Sequence, residues 1–165
     1  MRRTITVLIL GCVTSLLAGT AAAQSPRPAV ESSVGYAGFI DEAFINHFVV
    51  GGAVRAHLSP RLSIGPEVTF MRGPGGDRDW FFTGNATFDL VPPGRRVTPY
   101  VLGGGGLMVH RESFVSGPFT SSEGAFTAGG GARVNVGSGW FVAPELRMGW
   151  EPHVRYSVTI GRVLK

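Results

Sequence analysis

The chain has 165 residues, about one domain's worth, with 44% hydrophobic and 16% charged residues and a formal charge of +4. Outside the N-terminus no apolar run reaches the roughly 20 residues of a membrane-spanning helix, so any membrane crossing falls to strands. Without Arg2 and Arg3, which belong to the leader below, 13 basic residues face 11 acidic ones, a formal charge of +2 that gives nucleic-acid binding no support.

The first element is that leader. Arg2 and Arg3 form a positive start, residues 5–17 an apolar stretch, and Ala21-Ala22-Ala23 a small-residue cleavage site before Gln24, so residues 1–23 read as a cleaved signal peptide. The one cysteine, Cys12, lies inside it, and a lipoprotein reading is opposed by Leu10 and by the apolar stretch continuing beyond the Cys. The mature chain then has no disulfide, thiol nucleophile or Cys metal site.

Residues 24–31 read as a Pro-containing lead-in and residues 32–165 as one domain. Abundant Gly, scarce Lys and well-spread Phe, Val, Thr, Tyr and Trp favour strands, and eight are predicted: 32–40, 47–58, 62–71, 80–91, 98–111, 125–136, 140–150 and 154–164. Most are near the roughly 9–11 residues of a tilted membrane-crossing strand. Successive side chains of a strand face opposite ways, and the third, fourth, seventh and eighth stretches alternate cleanly. The fourth sets Trp80, Phe82, Gly84, Ala86, Phe88 and Leu90 against Phe81, Thr83, Asn85, Thr87 and Asp89. Long and short connections alternate as well, except for a short last loop, as expected of an up-and-down barrel with both termini at one end. The fold class expected is therefore all-β, an eight-stranded antiparallel transmembrane barrel.

The two halves share a weak repeat: Gly51-Gly52 with Gly129-Gly130, Arg55 with Arg133, and Pro66-Glu67 with Pro144-Glu145. With Leu58 facing Leu62, Arg55 lies diagonal to Glu67 and Ala53 opposite it. The second hairpin is expected to pair Arg133 with Glu145 in the same way. With Asp89, Arg147 and Arg155 these residues form an expected lumenal charge network, because an eight-stranded interior is filled by side chains. Pro66 and Pro144 each remove a ladder hydrogen bond, so a bulge is expected at both. The Gly-rich runs 103–106 and 129–131 lack the Lys-Ser/Thr and helix of a phosphate loop and read as close strand packing. Trp80, Tyr100, Trp140 and Trp150 lie near strand ends, where membrane-interface aromatics belong.

The alternating strands, the turn and loop pattern and the segment Thr98-Pro99-Tyr100-Val101-Leu102 followed by Gly103–Gly106 resemble small outer-membrane barrels of the OmpA/OmpX type. The resemblance spans the mature chain and implies insertion by the outer-membrane assembly machinery, which usually reads a C-terminal strand ending in an aromatic residue; residues 161–165 have none. It also implies a bacterial outer-membrane location and contact with lipid.

The expected role is structural or surface-interacting, with a side-chain-plugged lumen, no open pore and no catalysis. Partners would meet loops 41–46, 72–79 and 112–124, at a loop end where Asp41, Glu42, Asp77, Asp79, Glu112, Glu123 and Glu151 outnumber Arg72, Arg78 and Arg111. No cofactor, catalytic residue or metal site is expected; His47, His110 and His153 are placed at one end and read as solvated. Two alternatives stay open. A soluble lipocalin-type barrel would turn the apolar face inward around a small hydrophobic ligand. A lipid-modifying enzyme would use His110, Ser113 and Glu123, although a spacing of three puts His110 and Ser113 on opposite faces.

Overall fold

The computed structural model describes residues 27–40, 44–114 and 117–164. The leader of residues 1–23, most of the lead-in, Asp41, Glu42 and Lys165 lie outside the described residues.

The strands are β1 (Ala29–Ile40), β2 (Phe44–His57), β3 (Leu62–Arg72), β4 (Arg78–Asp89), β5 (Val97–Phe114), β6 (Gly117–Gly137), β7 (Trp140–Gly149) and β8 (His153–Val163). Each is antiparallel to its sequence neighbour, and β1 pairs with β8 to close the barrel. Closure removes the sheet's edges: an open sheet would leave two unpaired edges, and a barrel leaves none.

Short turns gather at the end that carries the termini. Leu58 N–H bonds the Leu62 carbonyl at 2.8 Å, so the first hairpin closes as its sequence suggests. Gly137, Ser138 and Gly139 all take positive φ values (102°, 52° and 79°), a left-handed run that two glycines make accessible. The opposite end, here the mouth, carries a 3-10 turn at Pro74–Gly76 and the β7–β8 turn through Glu151.

Two expectations about elements are corrected. The 112–124 loop is mostly strand: β5 and β6 stay paired from Val97↔Val134 out to Phe114↔Gly117. Polar Ser and Thr had marked this stretch as a loop, but a solvent-facing hairpin tolerates them because its ladder is held by backbone pairing rather than by apolar side chains. The bulges at Pro66 and Pro144 are also absent. β2–β3 pairing lapses between Ala53↔Glu67 and Ala56↔Ile64 and resumes in the same register, while Pro66 pairs with Gly84 on its other side. Pro144 likewise pairs with Val158, and its neighbour β6 skips a step without shifting. The missing N–H costs one ladder bond, which flanking pairs bridge, and Gly65 lets the backbone of Val54 come closer than any Cβ would permit. The register shift that does occur lies between Asn135 and Gly137, at the tight turn.

The apolar face looks outward. Val34, Tyr36, Leu107, Leu146, Met148, Tyr156 and Ile160 are each at least half exposed, whereas Arg55, Glu67, Glu145, Arg147 and Arg155 are buried. This removes the lipocalin-type alternative, whose apolar face would line the interior.

Candidate functional site

The lumen is layered. At the terminal end Ala29, Tyr100, Leu102, Phe141 and Ala143 cluster, and toward the mouth Ala37, Phe39, Val49, Met71, Phe81, Met108 and Ala125 form a second apolar cluster. Between them lie six charges, Glu31, Glu67 and Glu145 against Arg55, Arg147 and Arg155, all buried. Equal numbers of each sign are what a low-dielectric interior tolerates.

Glu67 is the hub. Its carboxylate accepts from Arg55 Nη2 at 2.8 Å, Arg147 Nη1 at 2.9 and 3.0 Å, Arg155 Nη2 at 2.9 Å, Asn85 Nδ2 at 3.0 Å and Thr69 Oγ1 at 3.2 Å. Arg55 continues to Glu31 (3.0 Å), and Arg147 to Glu145, which also accepts from Thr159 (3.1 Å). The Arg55–Glu67 diagonal forms as the hairpin register requires. Glu31, missed by the sequence reading, was left in the lead-in; its signal was the alternation Ala29, Glu31, Ser33, Gly35, which extends β1 backwards. A void beside Glu31, Glu67 and Arg147 measures about 10 Å³, room for about one water.

The second expected pair does not form. Arg133 bonds Asp89 instead, at 2.9–3.0 Å, with its guanidinium 4.7 Å from the Tyr100 ring centre. Tyr100 is the cause, and its interface assignment is corrected: it is 4% exposed, whereas Trp80, Trp140 and Trp150 are 38–42% exposed. Alternation from Thr98 puts Tyr100 indoors, and its hydroxyl fills the space above Gly131, where an added Cβ would lie 2.8 Å from the oxygen and 3.0 Å from Glu145 Cγ. The ring thus stands between Arg133 and Glu145.

At the mouth, three strands and the turn before β4 bring together residues the sequence had left as loop charges. His47 Nε2 lies 2.6 Å from Asp77 Oδ2 and 3.5 Å from Asp79 Oδ2; His110 Nδ1 lies 2.7 Å from Asp79 Oδ1 and 3.5 Å from Asp77 Oδ1. His47 and Asp79 are buried. His153 stays apart, with its Nδ1 2.8 Å from the Trp150 carbonyl oxygen. The rim is acidic enough that burial, followed by Glu123 and Asp79, pushes the Glu151 carboxyl above its ordinary range. Of the residues of the enzyme alternative, His110 is committed to Asp79, and Glu123 accepts from Trp150 Nε1 at 2.9 Å.

No protein-family model matches the sequence, and no curated protein matches it. Solved structures do. Neisserial surface protein A matches with a TM-score of 0.76 at 10% identity, covering 86% of this chain and 100% of that one. The N-terminal barrel of Pseudomonas aeruginosa OprF matches with a TM-score of 0.68 at 12% identity, covering 86% and 100%. Ail of Yersinia pestis matches with a TM-score of 0.52 at 12% identity, covering 82% and 93%. The chain has the small outer-membrane β-barrel fold.

In that fold the outward aromatics have a clear place. Tyr156, Tyr36 and Phe48 are register neighbours across β8, β1 and β2, and Phe70 packs on Trp80 at 4.8 Å, giving the barrel an aromatic belt near its mouth. Just beyond it Arg72, Arg78 and Arg111 align across β3, β4 and β5 and face outward, while Asp79 and His110, one residue away, face in.

Proposed function

We propose that this chain is exported through a cleaved leader, residues 1–23, and inserted into a bacterial outer membrane, where it serves as a non-enzymatic structural or surface-contact barrel without an open pore. The observation that carries the reading is the layered interior, in which two apolar clusters enclose a neutral six-charge network; side chains filling an eight-stranded barrel in this way support a lumen closed to a continuous water column. The outward apolar wall with its aromatic belt supports lipid contact. Short turns at the terminal end support a periplasmic location for that end, and the mouth would then face outside. The arginine row beyond Trp80 would lie at the level of anionic headgroups, which relieve the repulsion between like charges set side by side. Surface partners would meet the rim that residues 44–46, 72–79 and the β5–β6 hairpin line. One structure of Ail is a complex with the heparin analogue sucrose octasulfate; here the inner rim is acidic, which favours cationic over polyanionic partners.

The test combines fractionation with conductance. The protein should sediment with outer membranes and migrate differently in boiled and unheated samples on a denaturing gel, and the purified barrel should give no large, steady conductance in planar bilayers. A heat-insensitive periplasmic product would refute the membrane assignment, and a sustained open channel would refute the filled lumen.

A further inference from the structure

Beyond that role, we infer that the mouth binds one divalent first-row transition-metal ion of the Zn²⁺ class, ligated by His47 Nε2 and by one carboxylate oxygen each of Asp77 and Asp79. The three donor atoms lie within 4.8 Å of one another. Tetrahedral bonds of roughly 2.0–2.2 Å set ligand atoms about 3.3 Å apart. The Nε2–Asp79 separation of 3.5 Å already fits, and the Nε2–Asp77 contact of 2.6 Å needs to open by about 0.7 Å, within reach of a side-chain rotation of Asp77.

Four further features fit a ligand set better than a plain ion pair. His47 Nδ1 lies 3.3 Å from the Ile45 carbonyl oxygen, the backbone hydrogen bond by which metal-bound histidines fix their tautomer; a neutral ring held this way turns its Nε2 lone pair toward two carboxylates, as a metal ligand does. Asp77 Oδ1 is buried and has no hydrogen-bond partner among the described residues. His110 faces the remaining oxygens of both carboxylates, at 2.7 and 3.5 Å, and is thereby a positioning residue that orients them. Gly73 makes the approach possible: a Cβ there would collide with His47 Nε2 and sit 2.8 Å from Asp77 Oδ2.

The support is rigid below and open above. Phe39 packs 4.6 Å from the His47 ring, part of the apolar cluster, so the ion would rest on a dry floor with its fourth position toward the mouth. One imidazole with two carboxylates suits Zn²⁺ and its first-row neighbours, whereas Ca²⁺ demands six to eight oxygens, more than this set offers.

The experiment uses the full mature barrel, without a polyhistidine tag, folded in detergent micelles and titrated calorimetrically with Zn²⁺ and, in a separate run, with Ca²⁺. The expected result is one saturable site per chain, weakened more than about a hundredfold by His47→Ala or Asp77→Asn and about ten- to a hundredfold by His110→Asn. His57→Ala, at the opposite end, should leave it unchanged. Each variant's heat-shifted gel mobility reports that it is folded. Absence of saturable binding by the folded wild type, equal affinity in Asp77→Asn, or a site preferring Ca²⁺ would overturn the inference.

Discussion

Glu67 receives hydrogen bonds from three guanidinium groups, so its charge matters more than its volume. Glu67→Gln keeps the shape but leaves Arg55, Arg147 and Arg155 with two carboxylates among three cations, and should cost about 3–5 kcal/mol, the usual range for breaking a buried pair. Urea titration of the micelle-folded barrel, read by heat-shifted gel mobility, measures it. Asp89→Asn should cost less, about 1.5–3 kcal/mol, because Arg133 is 15% exposed in its side chain and keeps the Tyr100 face. Equal losses in the two variants would mean that Glu67 is not the hub. The hairpin register made Arg55–Glu67 legible in the sequence. Arg133–Asp89 was not, because it depends on a tyrosine filling the space above a glycine one strand away.

At the scale of elements, β5 and β6 run past the rest of the barrel: β6 pairs with β7 only from Thr127 onward, and β4 reaches β5 no further than Arg111. The outer hairpin therefore has little to support it except itself. Replacing residues 112–119 with an Asn-Gly turn, so that Arg111 and Thr120 close the hairpin, should leave the urea midpoint within about 0.5 kcal/mol of wild type. A larger loss would show that the projection braces the barrel. The Ser- and Thr-rich composition hid this extension because loop and solvent-exposed strand share a vocabulary, and only the cross-strand partner tells them apart. The prolines misled for a related reason: a lost donor is visible in a sequence, but the capacity of flanking pairs to hold register is not.

For the molecule as a whole, an outward apolar wall makes the bilayer part of the folded state. Trp80, Trp140 and Trp150 face outward, so brominated phospholipids should quench their fluorescence strongly in the reconstituted barrel, and a water-soluble quencher should do so weakly. The reverse pattern would argue against the membrane assignment. Alternation and turn residues determined the strand number, their up-and-down order and the presence of charges on one shared face, since each is a local property of a period-two chain. Tertiary structure decided which charge meets which. Arg147 and Arg155 reach Glu67 from 80 and 88 residues away, and His47 meets Asp77 and Asp79 across a gap of 30 or so. Such meetings depend on closure of the sheet, which sets the distance across the lumen and turns three separated stretches into one mouth.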